Sequence, residues 1–201
     1  MSDAAPDRLL EFWFGTLEKG FADQAHRQRW FSPAEAFDSE CRGRFGFLID
    51  AVCQGDLQHW LHTSRGTLAY ILVCDQLPRN VHRGTAAAFA NDALALSAAR
   101  RGVNARADIG LTFDERSFFY MPFEHSESVI DQHASVGLFT KLRDETPPGD
   151  RQLTGGSLRH AHGHRDIILR FGRFPHRNQL LGRQSSTDEM AHLAQGHHFG
   201  Q

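Results

Sequence analysis

Apolar residues recur along the chain at helical spacing, and runs alternating between polar and apolar, as strands show, are absent. Residues 6–14 read as a short helix ending at Gly15. Ser32-Pro33 reads as an N-cap followed by proline in the first turn. It opens a helix running to about Cys53 and stopped by Gly55. Residues 68–77 are apolar on every side, which predicts a fully buried central helix ended or kinked by Pro78. Asn91-Asp92 start a helix that Arg100-Arg101-Gly102 stop. Asp114 is expected to cap a short aromatic helix ending before Pro122. A longer helix follows to about Arg143, with Ile130, Ala134, Leu138 and Leu142 as its core stripe. Thr146-Pro147-Pro148-Gly149 reads as the most exposed connection. Residues 158–171 form the next helix, and Ser186 with Glu189 matches a capping box that opens the last. His197 and His198 read as a frayed tail. The expected architecture is one all-α domain, residues 1–201, of about eight or nine helices.

Helical geometry says where polar residues point. With Ile130 as reference, Glu124, Glu127 and Asp131 fall on the core side of their helix if that helix reaches back to 124, whereas His125 and His133 point elsewhere. In the later helix His164 lies within the Ala161–Ile168–Phe171 stripe, with His160 at its edge. Asp75 sits on the central helix, which has no polar face to hold it. Buried acids require partners. Residues 170–183 supply Arg170, Arg173, Arg177, Arg183 and His176 with no acid, a formal charge of +4, against −4 for residues 114–131. The two segments are therefore expected to meet, Arg173 or Arg177 reaching Glu127 and Asp131. A second internal feature is an echo: ILVCDQLPRN (71–80) and ILRFGRFPHRN (168–178) both run from an apolar helix end into Pro and then Arg-Asn.

Composition narrows the function classes. Hydrophobic residues make up 40% and charged residues 23% of 201, with net charge −2, which excludes disorder and a broad basic surface for nucleic acid. Only Lys19 and Lys141 are lysines, so the many arginines reflect a compositional bias, and an arginine cluster counts only where acids are absent. The longest apolar run, 68–74, is far too short to span a membrane. No signal peptide is read at the start, and three cysteines without CxxC spacing fit a reduced, cytoplasmic chain. Dinucleotide and P-loop patterns are absent, so no cofactor is expected. His164 and His160 with Glu127, Asp131 or Asp75 have helical spacing for a metal, but HExxH, CxxC and EF-hand spacings are all missing, and no metal is assigned.

Two readings of these residues remain. In the first, a pocket binds a small, polar, anionic metabolite. Asp75, Glu127, Asp131 and His164 are then the candidates for acid–base chemistry of hydrolase type. Arg79, Asn80, His125, Arg173, His176, Arg177 and Asn178 are the candidate ligand contacts. In the second, the polar groups form a purely structural network, and the helices hold a peptide or protein in a groove.

FWFG (12–15), DQLPRN with HRGT (75–85), YMPFEHSE with DQ (120–132), and RFGRFPHRN with LGR and ST (170–187) resemble the bacterial family known as domain of unknown function 924. The likeness runs through nearly the whole chain. It implies an all-helical domain of tetratricopeptide-like superhelical type, and it implies no activity, so no catalytic residue carries over from it. Relatives are expected to vary at position 124, which makes Glu124 the weakest of the three acids as a site member.

Overall fold

The computed structural model describes residues 5–31 and 34–196. Ser32, Pro33, His197 and His198, and the readings placed on them, lie outside that set. Among the described residues the chain is all-α, with an isolated β-bridge between Glu18 and Phe21 and no strand. Eleven α-helical segments follow one another: α1 (Ala5–Phe14), α2 (Gln24–Phe31), α3 (Glu35–Phe45), α4 (Phe47–Gln54), α5 (Ser64–Ile71), α6 (Leu77–Val81), α7 (Asp92–Asn104), α8 (Phe113–Glu124), α9 (Val129–Glu145), α10 (Arg151–Phe171) and α11 (Thr187–Leu193). None is long and apolar enough to cross a membrane.

The excess over eight or nine has identifiable causes. No apolar period marks α2; it is held by Trp30, whose ring packs edge-on against Phe14 and Phe118. The helix expected to reach Cys53 is divided at Gly46, where a Cβ would meet the Arg42 carbonyl oxygen at 2.6 Å. Gly55 does end α4, in the left-handed conformation. The central helix continues beyond Pro78. Residues 72–76 form a wide π-helical turn in which the Leu77 N–H reaches the Leu72 carbonyl, and α6 resumes with Pro78 in its first turn. The wide turn absorbs the hydrogen bond that proline cannot make. Every residue from 66 to 80 is buried, so Asp75 and Gln76 sit inside the core at that turn.

Other boundaries moved for local reasons. Gly102 is a packing residue rather than a stop: a Cβ there would strike Phe119 at 2.4 Å, and α7 runs on to Asn104. Thr112 and Glu115 form the capping box of α8, while Asp114 accepts hydrogen bonds from the Ala22 N–H and Arg27, and Pro122 lies within the helix. The chain turns at 125–128, so α9 does not reach back to Glu124. Its buried face is Asp131, Gln132, Ser135, Phe139 and Leu142, with Ile130 79% exposed. Gln132 fixes that corner by donating to the carbonyls of Glu124 and Ser126. Thr146 is buried and bonds to Leu142 and Thr154, so only the rest of that connection is exposed. The Gly155-Gly156 pair obscured the first turns of α10, and the box at Ser186 and Glu189 opens α11 as read.

Helices α8, α9 and α10 pack in sequence, α9 against both neighbours. Arg116 near the start of α8 pairs with Glu145 at the end of α9, and Glu127 before α9 meets Phe174 after α10. Successive helices are therefore antiparallel. This places the end of α8, the α8–α9 corner, the π-helical turn and the loop after α10 around one space.

Candidate functional site

That space is a cavity of about 580 Å³, within the size range of small-molecule sites. Its polar end is built by Gln76, Arg79 and Asn80 from the central helix, Glu124 and His125 from the end of α8, His164 from α10, and His176 and Arg177 from the loop after it. Arg27, Trp30, Met121, Phe139, Leu153, Gly156 and Ser157 continue the wall, with Arg83, Phe89 and His160.

Asp75 anchors the polar end from behind. Its carboxylate is fully buried, 2.6 Å from His125 Nδ1, 2.6 Å from Gln76 Nε2 and 3.2 Å from Arg79 Nη1. Burial works against its charge, but Arg79 and then His125 overcome it and hold Asp75 well below the usual carboxylate range. An ionised Asp75 can only accept, so His125 donates from Nδ1. Burial outweighs Asp75 and lowers the His125 pKa, which keeps the ring neutral and the lone pair on Nε2. No protein group bonds to Nε2 among the described residues.

Arginine 177 is the second unusual group. Its guanidinium is stacked 4.8 Å from the Phe89 centroid and 4.5 Å from that of Phe174, with its side chain 8% exposed. Nη1 donates to the His125 carbonyl at 3.1 Å and, at 3.3 Å, to Asp92. Asp92 is already held bidentately by Arg79, at 2.8 and 3.0 Å. Among the described residues, Nε is buried without a partner and no group accepts from Nη2. Burial, together with Arg79, pushes the Arg177 pKa down to about 10. Beside it, burial and then Arg177 push His176 down to about 3, so that ring is neutral. His164 Nδ1 lies 2.9 Å from the His160 carbonyl and 3.0 Å from Glu124 Oε1, and its ring packs on those of His125 and Phe174.

The chain matches a family described as bacterial protein of unknown function (DUF924) over residues 9–197. It belongs to this family. A solved structure, that of a protein of unknown function from Agrobacterium tumefaciens, is 35% identical, with a TM-score of 0.81 over 96% of this chain and 98% of that one. No curated protein matches the chain.

In this DUF924 member the sequence candidates divide into two groups. Arg79, Asn80, His125, His164, His176 and Arg177 line the cavity, with Asp75 directly behind. Glu127, Asp131, Arg173 and Asn178 do not line it. Both Glu127 oxygens are taken by Arg183, at 2.7 and 3.0 Å, and by the Phe174 N–H at 2.8 Å. Although burial opposes its charge, Arg183 leads in holding Glu127 below its ordinary range. Asp131 is held by Arg100 and the Ser126 hydroxyl, and Arg173 pairs with Glu189. The +4 and −4 segments thus meet at Glu127 through Arg183, and the pairings expected of Arg173 and Arg177 are not formed. Asn178 bonds Ser185.

His160 offers its carbonyl to His164, and Glu127 and Asp131 face other partners, so the metal grouping is not assembled. Among the described residues no cluster of three or more His, Cys, Asp or Glu is arranged to hold a metal. Sequence reasoning missed Gln76, Arg27 and Trp30, and of the three acids Glu124, Glu127 and Asp131 it is Glu124 that lines the cavity. The one usable signal was the echo, whose two arginines, Arg79 and Arg177, converge on Asp92 over the Phe89 ring.

Proposed function

We propose that the cavity binds a small anionic metabolite through Arg177, and that His125, oriented by Asp75, is the base that acts on it. The observation that carries this reading is the under-used guanidinium of Arg177. A buried arginine held by few partners is costly. An anion accepting from Nη2, the unmet nitrogen that is not sealed off like Nε, offsets part of that cost. Neutral His125 and His176 beside it add no competing acid, and His125 Nε2 supplies a proton acceptor within the same space.

Hydrolysis is the simplest reaction this arrangement serves, because it needs only water as co-reactant. As the water oxygen bonds to the ligand's electrophilic atom, its proton passes to Nε2. The resulting imidazolium, stabilised by Asp75, returns that proton to the leaving group as its bond breaks. Thermal shift with a panel of carboxylate and phosphate metabolites tests the binding step. A ligand at about one hundred times its Kd should raise Tm by roughly 5–10 °C, and Arg177→Met should abolish the rise. An equal rise in Arg177→Met would overturn the assignment.

A further inference from the structure

Resting on the reading of Arg177 as the anion site, we infer that the ligand is an elongated monocarboxylic acid whose carboxylate sits on Arg177 and whose apolar body runs along α10 towards Trp30. Three independent features set this axis. First, Leu153, Gly156, Ser157, His160 and His164 all line the cavity and share one face of α10. From Leu153 to His164 that face is eleven residues long, about 16 Å. Second, the two ends differ in charge. Arg177 lies at the His164 end with unmet donors, whereas Arg27, at the Leu153 end, is 2.5 Å from Asp114 and donates its other nitrogen to the Leu153 carbonyl. Only one end calls for an anion. Third, Trp30, Met121, Phe139 and Leu153 line the cavity beside Gly156, Ser157 and His160, so apolar surface for a hydrocarbon is present, and among the described residues no acid besides Glu124 lines the cavity.

The charge of the head follows from its neighbours. Asp75 and Asp92 stand close to Arg79 and Arg177 and balance them one for one, so the polar end has no surplus of positive charge to neutralise a dianion. A carboxylate carries a single charge and two coplanar oxygens, which match one edge of a guanidinium. The middle of the path is open at Gly156, where an added Cβ would come no nearer than 3.8 Å to its neighbour, Arg159.

Titration calorimetry with butanoate, octanoate and dodecanoate, and with dodecyl phosphate, tests the inference. Affinity should tighten about three- to fourfold for each added methylene until the tail reaches the Leu153 end. Arg177→Met should weaken every length alike, by tenfold or more. Gly156→Leu, checked for helix content by circular dichroism, should cut dodecanoate affinity at least tenfold and move the optimum to shorter acids. Equal affinity at all lengths would overturn the elongated ligand while leaving the anion site standing. Tighter binding of dodecyl phosphate than dodecanoate would overturn the monocarboxylate head. Dodecanoate binding that ignores Gly156→Leu would overturn the path along α10. Failure of all these acids to bind would overturn both the inference and the anion site it rests on.

Discussion

Two clusters of carboxylates and arginines lie on either side of the α8–α9 corner, and they are used in opposite ways. Around Glu127 each carboxylate oxygen has a donor, and both terminal nitrogens of Arg183 are spent on Glu127 and the Phe174 carbonyl, with only its Nε unmet. Around Arg177 the acid, Asp92, is shared with Arg79, and among the described residues two of the three guanidinium nitrogens make no hydrogen bond. Both arginines come from the same acid-free segment, so composition does not separate them. The difference is what each faces: protein groups at Arg183, an open cavity at Arg177. A saturated cluster fixes the chain, whereas an unsaturated one is built to be completed by something else.

The largest effect should come from the residue that supports the cavity cluster. Asp75→Ala leaves Arg79 and His125 without their shared buried partner and should cost on the order of 3–5 kcal/mol by chemical denaturation. A cost below about 1 kcal/mol would mean that the anchor is dispensable. Within the saturated cluster, Arg183→Met leaves the Glu127 carboxylate with only the Phe174 N–H and should cost about 1–3 kcal/mol.

The acid limb of stability sharpens the comparison further. The folded His176 titrates near 3 against an ordinary 6.5, so below about pH 6.5 the unfolded chain takes up a proton that the folded chain refuses. Its contribution is intact above that pH and is lost as pH falls, at about 1.4 kcal/mol per pH unit. Burial leads this shift and the Arg177 and Arg79 guanidinium groups act in the same direction, and the lowered His125 pKa adds to the slope. His176→Phe should therefore give a shallower loss of stability between pH 6.5 and 4, and an unaltered slope would place the proton uptake elsewhere. The smallest effect belongs to the periphery. Ser126→Ala removes one donor to Asp131, which keeps Arg100, and should cost about 1 kcal/mol.

Helix type and several ends were legible in the sequence because they rest on local chemistry: Gly15, Gly55, the box at Ser186 and Glu189, and the fully apolar stretch around residues 68–77. The π-helical turn was not legible, since Pro78 could equally have ended the helix, and only the surrounding core decides that it continues. The site was legible in the same proportion. Asp75 and His164 drew attention by standing where apolar residues belong, and the Arg-Asn turns by repeating. Glu127 was misplaced because it sits on the corner at 125–128 and not on α9, and that corner is fixed by Gln132 from within α9; Asp131 is buried as read, but its partner is Arg100. Which arginine meets which acid depends on that corner, so helical geometry alone could not tell Arg177 from Arg183.

Paired thermal denaturation of Arg177→Met and Arg183→Met, each with and without a bound carboxylate, tests the contrast most directly. Arg183→Met should melt several degrees lower, at roughly 2–4 °C per kcal/mol, and should keep the ligand-induced rise. Arg177→Met should melt within about 0.5 kcal/mol of the parent or above it, because Met replaces an under-paired buried charge, and should lose that rise completely. If Arg177→Met melts as far below the parent as Arg183→Met and still responds to the carboxylate, the two clusters are the same kind of object, and the cavity is not a ligand site.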